Sequence, residues 1–268
     1  MKKKIALVQM QSSQDKQENL LRSIDFISEA AAGQAELVCF PEFQMAFSPS
    51  SQPAKELAAI AEPVGGGFVT ALSKAARKNR IGVVACIYEK GAGSRVYDTA
   101  LVLSPAGLVT SIYRKLHLYD ALGYRESAKL TSGKEIKEPV RTAAGSVGLM
   151  ICYDLRFPEL SRILVLKGAD VLVAPSAWVQ GNMKEEHWQT MVKARAIENG
   201  SYLVAPDQVG NIFCGRSMAV DPFGVVLADM EKREGVAIVE FDRQRIREIR
   251  KSLPLLKNRR SDVYDLST

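Results

Sequence analysis

Cys152 stands at the end of the apolar run Gly148-Leu149-Met150-Ile151, followed by Tyr153-Asp154 and soon by Pro158-Glu159-Leu160. This order reads as a buried strand that delivers a thiol into a turn just before a helix. Backbone N–H groups at a helix start, helped by a nearby cation, lower a thiol's pKa and make it nucleophilic. The plainer reading is a small core residue, and Cys39, Cys86 and Cys214, which lack such a turn, fall in that class. A thiol nucleophile needs a base for its proton, a donor for the oxyanion it creates and an acid for the departing amine. His117, His187 and Glu42 are the candidate bases. Glu42, in Phe40-Pro41-Glu42-Phe43, sits where an apolar strand ends, which is where sites form in open α/β sheets. Lys115, in Tyr113-Arg114-Lys115-Leu116-His117, closes another strand among cations. Taken alone, Glu42 is a strand's exit into solvent and Lys115 a charged edge that resists aggregation.

The elements that must position these groups follow from periodicity. Residues 4–10 and 35–42 are apolar runs, and between them Leu20, Ile24, Ile27 and Ala31 recur at helical spacing. Asp15 with Glu18 three residues on resembles a capping box, and Gly33 ends the helix. A helix over 68–79 leads into strands over 81–88, 97–103 and 109–113, the last two joined at Pro105-Ala106-Gly107. Residues 116–139 have weak periodicity and read as a long loop, a length usually functional or disordered. Strands over 147–153, 170–174 and 201–205 then alternate with helices over 158–167 and 184–199. Strands over 217–220, 225–228 and 236–241 are separated by hairpin signals at 221–224 and 232–235. Mixed sheets with helices packed outside are expected, in a single domain spanning 1–268.

Composition excludes several other functions. The 268 residues are 47% hydrophobic and 25% charged, which fits a soluble globular chain with a sizeable core. No apolar run approaches the roughly 18 residues needed to span a bilayer, and the basic start breaks at Gln9 without a cleavage site. A cytoplasmic protein without a membrane partner is expected. No Cys-x-x-Cys pair or His-Glu-x-x-His run occurs, so neither a metal nor another cofactor is expected. The net charge of +6 is concentrated between Asp242 and Arg260, where eight Lys or Arg face two Asp or Glu. That segment carries no interleaved aromatics for base stacking. It therefore reads as a basic C-terminal extension over 242–268, a solvated helix or a subunit contact, and no nucleic-acid partner is expected.

Three separated motifs together are similar to the nitrilase superfamily of carbon-nitrogen hydrolases: Glu42 in Phe-Pro-Glu-Phe, Lys115 in Tyr-Arg-Lys-Leu-His-Leu-Tyr-Asp, and Cys152 in Gly-Leu-Met-Ile-Cys-Tyr-Asp-Leu-Arg-Phe-Pro-Glu-Leu. The resemblance covers nearly the whole chain, including Arg125-Glu126-Ser127, residues 194–199 and 215–224, and the terminal run to Tyr264. It implies an α/β fold, a four-layer αββα sandwich of two mixed β-sheets with helices on the outer faces. It implies a Glu-Lys-Cys triad in which Glu42 is the base and later the acid, Lys115 stabilises the oxyanion and Cys152 is the nucleophile. Glu126 matches the second glutamate that positions substrate and lysine, and the Tyr153 N–H would complete the oxyanion hole. The Tyr153-Asp154 pair after the cysteine resembles the Nit-like and ω-amidase-like branch, where nitrilases proper have Trp-Glu. The implied reaction is hydrolysis of the amide of a small carboxylate-bearing compound through a thioester, with water as the second reactant. Alternatives on the same triad are a deaminated-glutathione amidase, an N-carbamoyl amino acid hydrolase or a nitrilase. Arg156 and Arg195 are the candidate partners for the substrate carboxylate, and Trp178 is expected to line the pocket. Asp207 and Arg216 depart from runs common in the branch. The resemblance also implies a homodimer or larger homo-oligomer.

Overall fold

The computed structural model describes residues 2–93 and 95–263, so Tyr264 and the end of the basic extension lie outside the described residues. The first half contains β1 (Lys3–Gln9), α1 (Lys16–Ala32), β2 (Leu37–Cys39), α2 (Ala54–Ile60), α3 (Gly67–Asn79), β3 (Gly82–Lys90), β4 (Val96–Leu103) and β5 (Val109–Arg114). The second contains β6 (Val140–Thr142), β7 (Gly145–Leu149), α4 (Pro158–Leu166), β8 (Val171–Val173), α5 (Lys184–Asn199), β9 (Tyr202–Ala205), β10 (Val209–Gly210), β11 (Phe213–Cys214), β12 (Met218–Val220), β13 (Val226–Asp229), β14 (Gly235–Phe241) and α6 (Arg243–Ser252). Single 3₁₀ turns occur at Glu126–Ala128 and Cys152–Arg156.

Two six-stranded sheets result, in the orders β14-β1-β2-β3-β4-β5 and β13-β12-β9-β8-β7-β6. Each has a parallel centre, β1-β2-β3 in one and β7-β8-β9 in the other, flanked by antiparallel strands. Alternation along the strands decides which layer each residue serves. Ile5, Leu7, Val84 and Cys86 turn toward the second sheet and share a core with Leu172, Val204 and the helix residues Leu164 and Val192. Ala6, Val8, Val83 and Ala85 turn the other way, against Ile27 and Leu72 of α1 and α3. Both faces of each central strand are thus covered, which is why these strands read as continuous apolar runs. The order of layers is helix, sheet, sheet, helix, as the resemblance implied.

Differences from the expected elements have local causes. Asp15 caps α1, accepting from the Gln17 and Glu18 N–H groups at 2.7 and 3.3 Å. Glu18, however, takes the Ser13 hydroxyl at 2.6 Å, and Ser13 Oγ accepts the Asp15 N–H at 3.1 Å, so the cap closes through Ser13. At Gly33 a Cβ would lie 2.2 Å from Ile238 Cδ1 on β14, so a larger residue there would push that side chain aside. The segment at 221–224 is a hairpin turn between β12 and β13, whereas 232–235 carries the chain across to the other sheet, where β14 pairs with β1. Turn chemistry alone does not say which sheet the next strand joins. α6 buries Ile246 and Ile249, and its cations serve the fold. Arg243 bonds Asp170, Arg245 reaches Asp221 at 3.0 Å and Arg250 reaches the Gly200 carbonyl at 2.9 Å.

Candidate active site

The carboxyl ends of β2, β5 and β7 meet at one side of the sandwich. Glu42 lies three residues beyond β2, and its backbone carbonyl accepts from Gln208 Nε2 at 2.9 Å. Lys115 directly follows β5 and is pinned by its N–H to the Asp98 carbonyl at 2.9 Å. Its Nζ donates to Glu42 Oε1 at 2.7 Å and to Glu126 Oε2 and Oε1 at 2.9 and 3.0 Å. Lys115 and Glu42 are each only 1% exposed. Burial opposes the ammonium, yet Glu126 and Glu42 outweigh it and hold the Lys115 pKa well above the ordinary lysine value. Glu126 is fixed from the long loop by its 3₁₀ turn and by the Tyr119 N–H at 2.8 Å.

Cys152 leaves β7 in a left-handed turn, with φ 43°. Such strain is costly for a residue with a Cβ and persists where surrounding bonds over-determine it. Here the Cys152 N–H donates to the Pro175 carbonyl at 2.9 Å, and Asp154, wholly buried, locks the turn. Asp154 accepts from the Ile151 N–H at 2.9 Å, the Tyr113 hydroxyl at 2.6 Å and the His117 N–H at 3.1 Å, with His117 Nδ1 at 2.7 Å. Tyr113 and His117 bracket Lys115, so this one carboxylate ties the strand end carrying the lysine to the turn carrying the cysteine. The Ala177 N–H points at the sulfur. The expectation of a lowered thiol pKa does not hold: burial and the Glu42 charge push it well up, against Lys115 and the Ala177 N–H. A resting neutral thiol needs a base, and the sequence could not show the burial that decides this.

A cavity of about 280 Å³ opens onto Cys152 and Glu126 and is lined by Phe43, Tyr88, Tyr119, Arg156 and Trp178 among others. Tyr153 also lines it, half-buried, and its N–H meets no acceptor among the described residues. Trp178 is held by its N–H to Asp207 at 2.7 Å and by its indole N–H to the Lys184 carbonyl at 2.8 Å. The Arg156 guanidinium stacks 4.6 Å over that indole and has no carboxylate partner among the described residues. Lys184, which sequence reading missed, lies beside it with Nζ on the Tyr119 hydroxyl at 2.7 Å. Burial and the neighbouring Arg156 charge lower the Lys184 pKa. Its position at the start of α5 carries no local motif.

Arg195 does not join this wall. It is 5% exposed, with Nε on the Leu155 carbonyl at 2.8 Å and a guanidinium nitrogen on Glu198 at 2.7 Å, so it braces α5 against the cysteine turn. Position on a helix does not reveal which face meets the cavity. His187 is exposed on α5 and His117 is engaged by Asp154, which leaves Glu42 as the carboxylate beside the thiol. Arg216 pairs with Asp229 outside the lining. Among the described residues no group of three or more His, Cys, Asp or Glu is arranged to hold a metal ion.

The family model described as carbon-nitrogen hydrolase matches residues 4–251. The chain belongs to the carbon-nitrogen hydrolase family. It is 36% identical over 234 residues to the deaminated glutathione amidase of Escherichia coli O157:H7, covering 87% of this chain and 88% of that one. Among solved structures it superposes on Saccharomyces cerevisiae Nit3, a member of branch 10 of the nitrilase superfamily, with TM-score 0.87, 31% identity and 97% of each chain covered. It superposes on the C. elegans NitFhit protein with TM-score 0.91 and 32% identity, covering 99% of this chain but spanning only 66% of that longer one. This carbon-nitrogen hydrolase is an enzyme whose reaction is the hydrolysis of amides.

Proposed function

We propose that Cys152 is the nucleophile, Glu42 the base and then the acid, and Lys115 the oxyanion donor, acting on a small amide that bears a carboxylate. The observation that supports this most is the Glu42–Lys115–Glu126 cluster, with Glu42 and Lys115 buried, next to the Cys152 thiol at the floor of a cavity. Glu42 takes the Cys152 proton as the sulfur attacks the amide carbon. Lys115 and the Tyr153 N–H stabilise the oxygen that gains the charge, and donors fixed before the reaction cost no reorganisation when it occurs. Glu42 returns the proton to the nitrogen, the amine leaves, as ammonia from a primary amide or as the dipeptide amine from deaminated glutathione, and a thioester remains. Water, deprotonated by Glu42, then attacks the thioester, giving the carboxylic acid and restoring the thiol. Glu126 keeps Lys115 in place and presents a carboxylate to the amide nitrogen.

Arg156 and Lys184, which have no carboxylate partner among the described residues, support a substrate carboxylate at the cavity wall, and the aromatic lining supports a flat acyl chain. The name of the Escherichia coli relative favours deaminated glutathione or a related 2-oxo acid amide over carbamoyl compounds and nitriles. Ammonia release from 2-oxoglutaramate, glutamine, aliphatic amides, N-carbamoyl amino acids and nitriles, together with release of the cysteinylglycine amine from deaminated glutathione, tests the class. Saturation only by uncharged amides would remove the carboxylate. Intact-mass analysis with a slow substrate tests the nucleophile: an acyl adduct is expected on the wild type, and its persistence in Cys152→Ala would place the nucleophile elsewhere.

The chain is further read as one catalytic domain over 1–268, working in the cytoplasm, where its four free thiols suit a reducing compartment. It is also read as a homodimer or larger homo-oligomer with the 242–268 extension at a subunit contact. Exposed Phe223, Val225 and Leu227 offer apolar surface near Arg245 for that purpose. Sedimentation at micromolar concentration tests the assembly, and a monomer would end that part of the reading.

A further inference from the structure

Three carboxyl groups, Glu42 and Asp98 buried and Glu126 partly exposed to the cavity, crowd around the single ammonium of Lys115. Glu42 and Glu126 both accept from Nζ, and Glu126 also accepts from a backbone N–H. The third, Asp98, is 2% exposed, and its Oδ2 lies 3.8 Å from Nζ, beyond hydrogen-bond reach. Asp98 stands on β4 opposite Tyr88 of β3, and Oδ1 accepts the Cys86 thiol at 3.3 Å. Among the described residues no N–H or O–H donor reaches Oδ2. Asp98 Oδ2 and Glu42 Oε1 flank the same Nζ, at 3.8 and 2.7 Å, so the Glu42 carboxyl is a neighbour of the Asp98 acid around the ammonium.

Two carboxyl groups can share a hydrogen bond only if one of them keeps its proton. Charge gives the same answer. Three carboxylates and one ammonium would leave two uncompensated charges around two fully buried acids, which is more costly than protonating one of them. Glu42 and Glu126 accept from the Lys115 ammonium, and Glu126 also from a backbone N–H, while Asp98 accepts only from a thiol. We propose that Asp98 is a neutral carboxylic acid that donates to Glu42 and acts as a positioning residue, holding the base in line between Lys115 and Cys152. The inference rests on Glu42 being the base. Burial and the Glu42 charge push the Asp98 carboxyl well above its ordinary range, which agrees with the geometry. The same residue fixes Lys115 through its main-chain carbonyl, so one position on β4 sets both partners of the ion pair.

The test compares Asp98→Asn with Asp98→Leu in the full chain. Asparagine keeps the shape and an N–H donor toward Glu42, whereas leucine fills the space and donates nothing. Leucine is expected to lower kcat roughly 100-fold, the scale of a misplaced catalytic group, and asparagine to recover most of that loss. KM is expected to stay within about threefold in both, because no substrate contact is removed. Equal losses in the two variants would show that the negative charge matters, and an active leucine variant would show that the bond does not; either overturns the proposal. Should the leucine variant fail to fold, the infrared difference spectrum of wild type against Asp98→Asn decides. A protonated-carboxyl stretch that shifts in D₂O and disappears in the variant is expected, and its absence overturns the proposal. Failure of the mechanism itself shows separately, as a missing acyl adduct on wild-type Cys152.

Discussion

The floor and the wall of the cavity use charge in opposite ways. At the floor, Lys115 is bound on two sides by carboxylates and almost wholly buried, so its charge is answered from within the protein. At the wall, Arg156 and Lys184 rest on aromatic faces with no carboxylate partner among the described residues. A compensated cation fixes geometry before substrate arrives, while an uncompensated one is satisfied by what binds. Floor substitutions should therefore act on kcat and wall substitutions on KM.

The largest effect is expected at the floor. Lys115→Met removes the oxyanion donor and should lower kcat about 100- to 1000-fold. It also leaves Glu42 and Glu126 buried without their cation, a loss of about 3–5 kcal/mol where a buried pair is broken. Because the stranded groups are carboxylates, that loss should be greatest at neutral pH and shrink as acid protonates them. Single-turnover kinetics and urea denaturation at two pH values check both parts. A wild-type rate in this variant would erase the distinction between floor and wall.

At the wall, Arg156→Ala or Lys184→Ala should raise KM for a carboxylate-bearing amide about 10- to 100-fold, the value of one charge-assisted hydrogen bond. An uncharged aliphatic amide should show little change, since it gives these cations nothing to hold. Steady-state kinetics with one amide of each kind provide the check. Equal losses on both substrates would mean that the wall shapes the cavity and does not read charge.

How much of this was legible in the sequence differs between the two regions. At the floor the strand ends located the candidates, Glu42 after β2, Lys115 after β5 and Cys152 just beyond β7, but taken alone each had a plainer reading, and their joint role came from the resemblance. Glu126 came from resemblance alone, since the loop that carries it has no periodicity. The wall was half legible. Arg156 and Trp178 lie close to the cysteine turn in sequence or in strand order, but Lys184 arrives from the start of α5. Arg195 was misplaced for a related reason: helical spacing identifies a face without saying what it meets. The direction of the Cys152 pKa was also hidden, because short-range cues such as a helix start are visible in sequence while burial and the Glu42 charge are long-range.

Arg195 gives the contrast a control. It is a buried cation near the cysteine turn that serves neither region, so Arg195→Met should leave KM for both amides nearly unchanged. Losing the bond to the Leu155 carbonyl and the Glu198 contact should cost about 1–3 kcal/mol, the penalty for an unsatisfied buried group. Thermal denaturation beside the kinetics checks this. A selective rise in KM for the carboxylate-bearing amide would restore Arg195 to the wall.

A pH-dependent effect sharpens the picture of the floor. If Asp98 holds its proton in the folded protein, the native state keeps a proton that the unfolded chain releases above about pH 4. Wild-type stability then falls as pH rises through that window, by up to about 1.4 kcal/mol per pH unit, until the raised folded pKa is reached. Asparagine does not titrate, so the stability of Asp98→Asn relative to wild type should climb with pH over the same range. Glu126, whose carboxyl burial also pushes up, is present in both proteins and cancels to first order. Lys115, whose pKa is raised, loses its contribution only in strong alkali and also cancels. Urea denaturation from pH 4 to 7 measures the difference, and a flat line would mean that Asp98 is ionised at the floor beside Glu42.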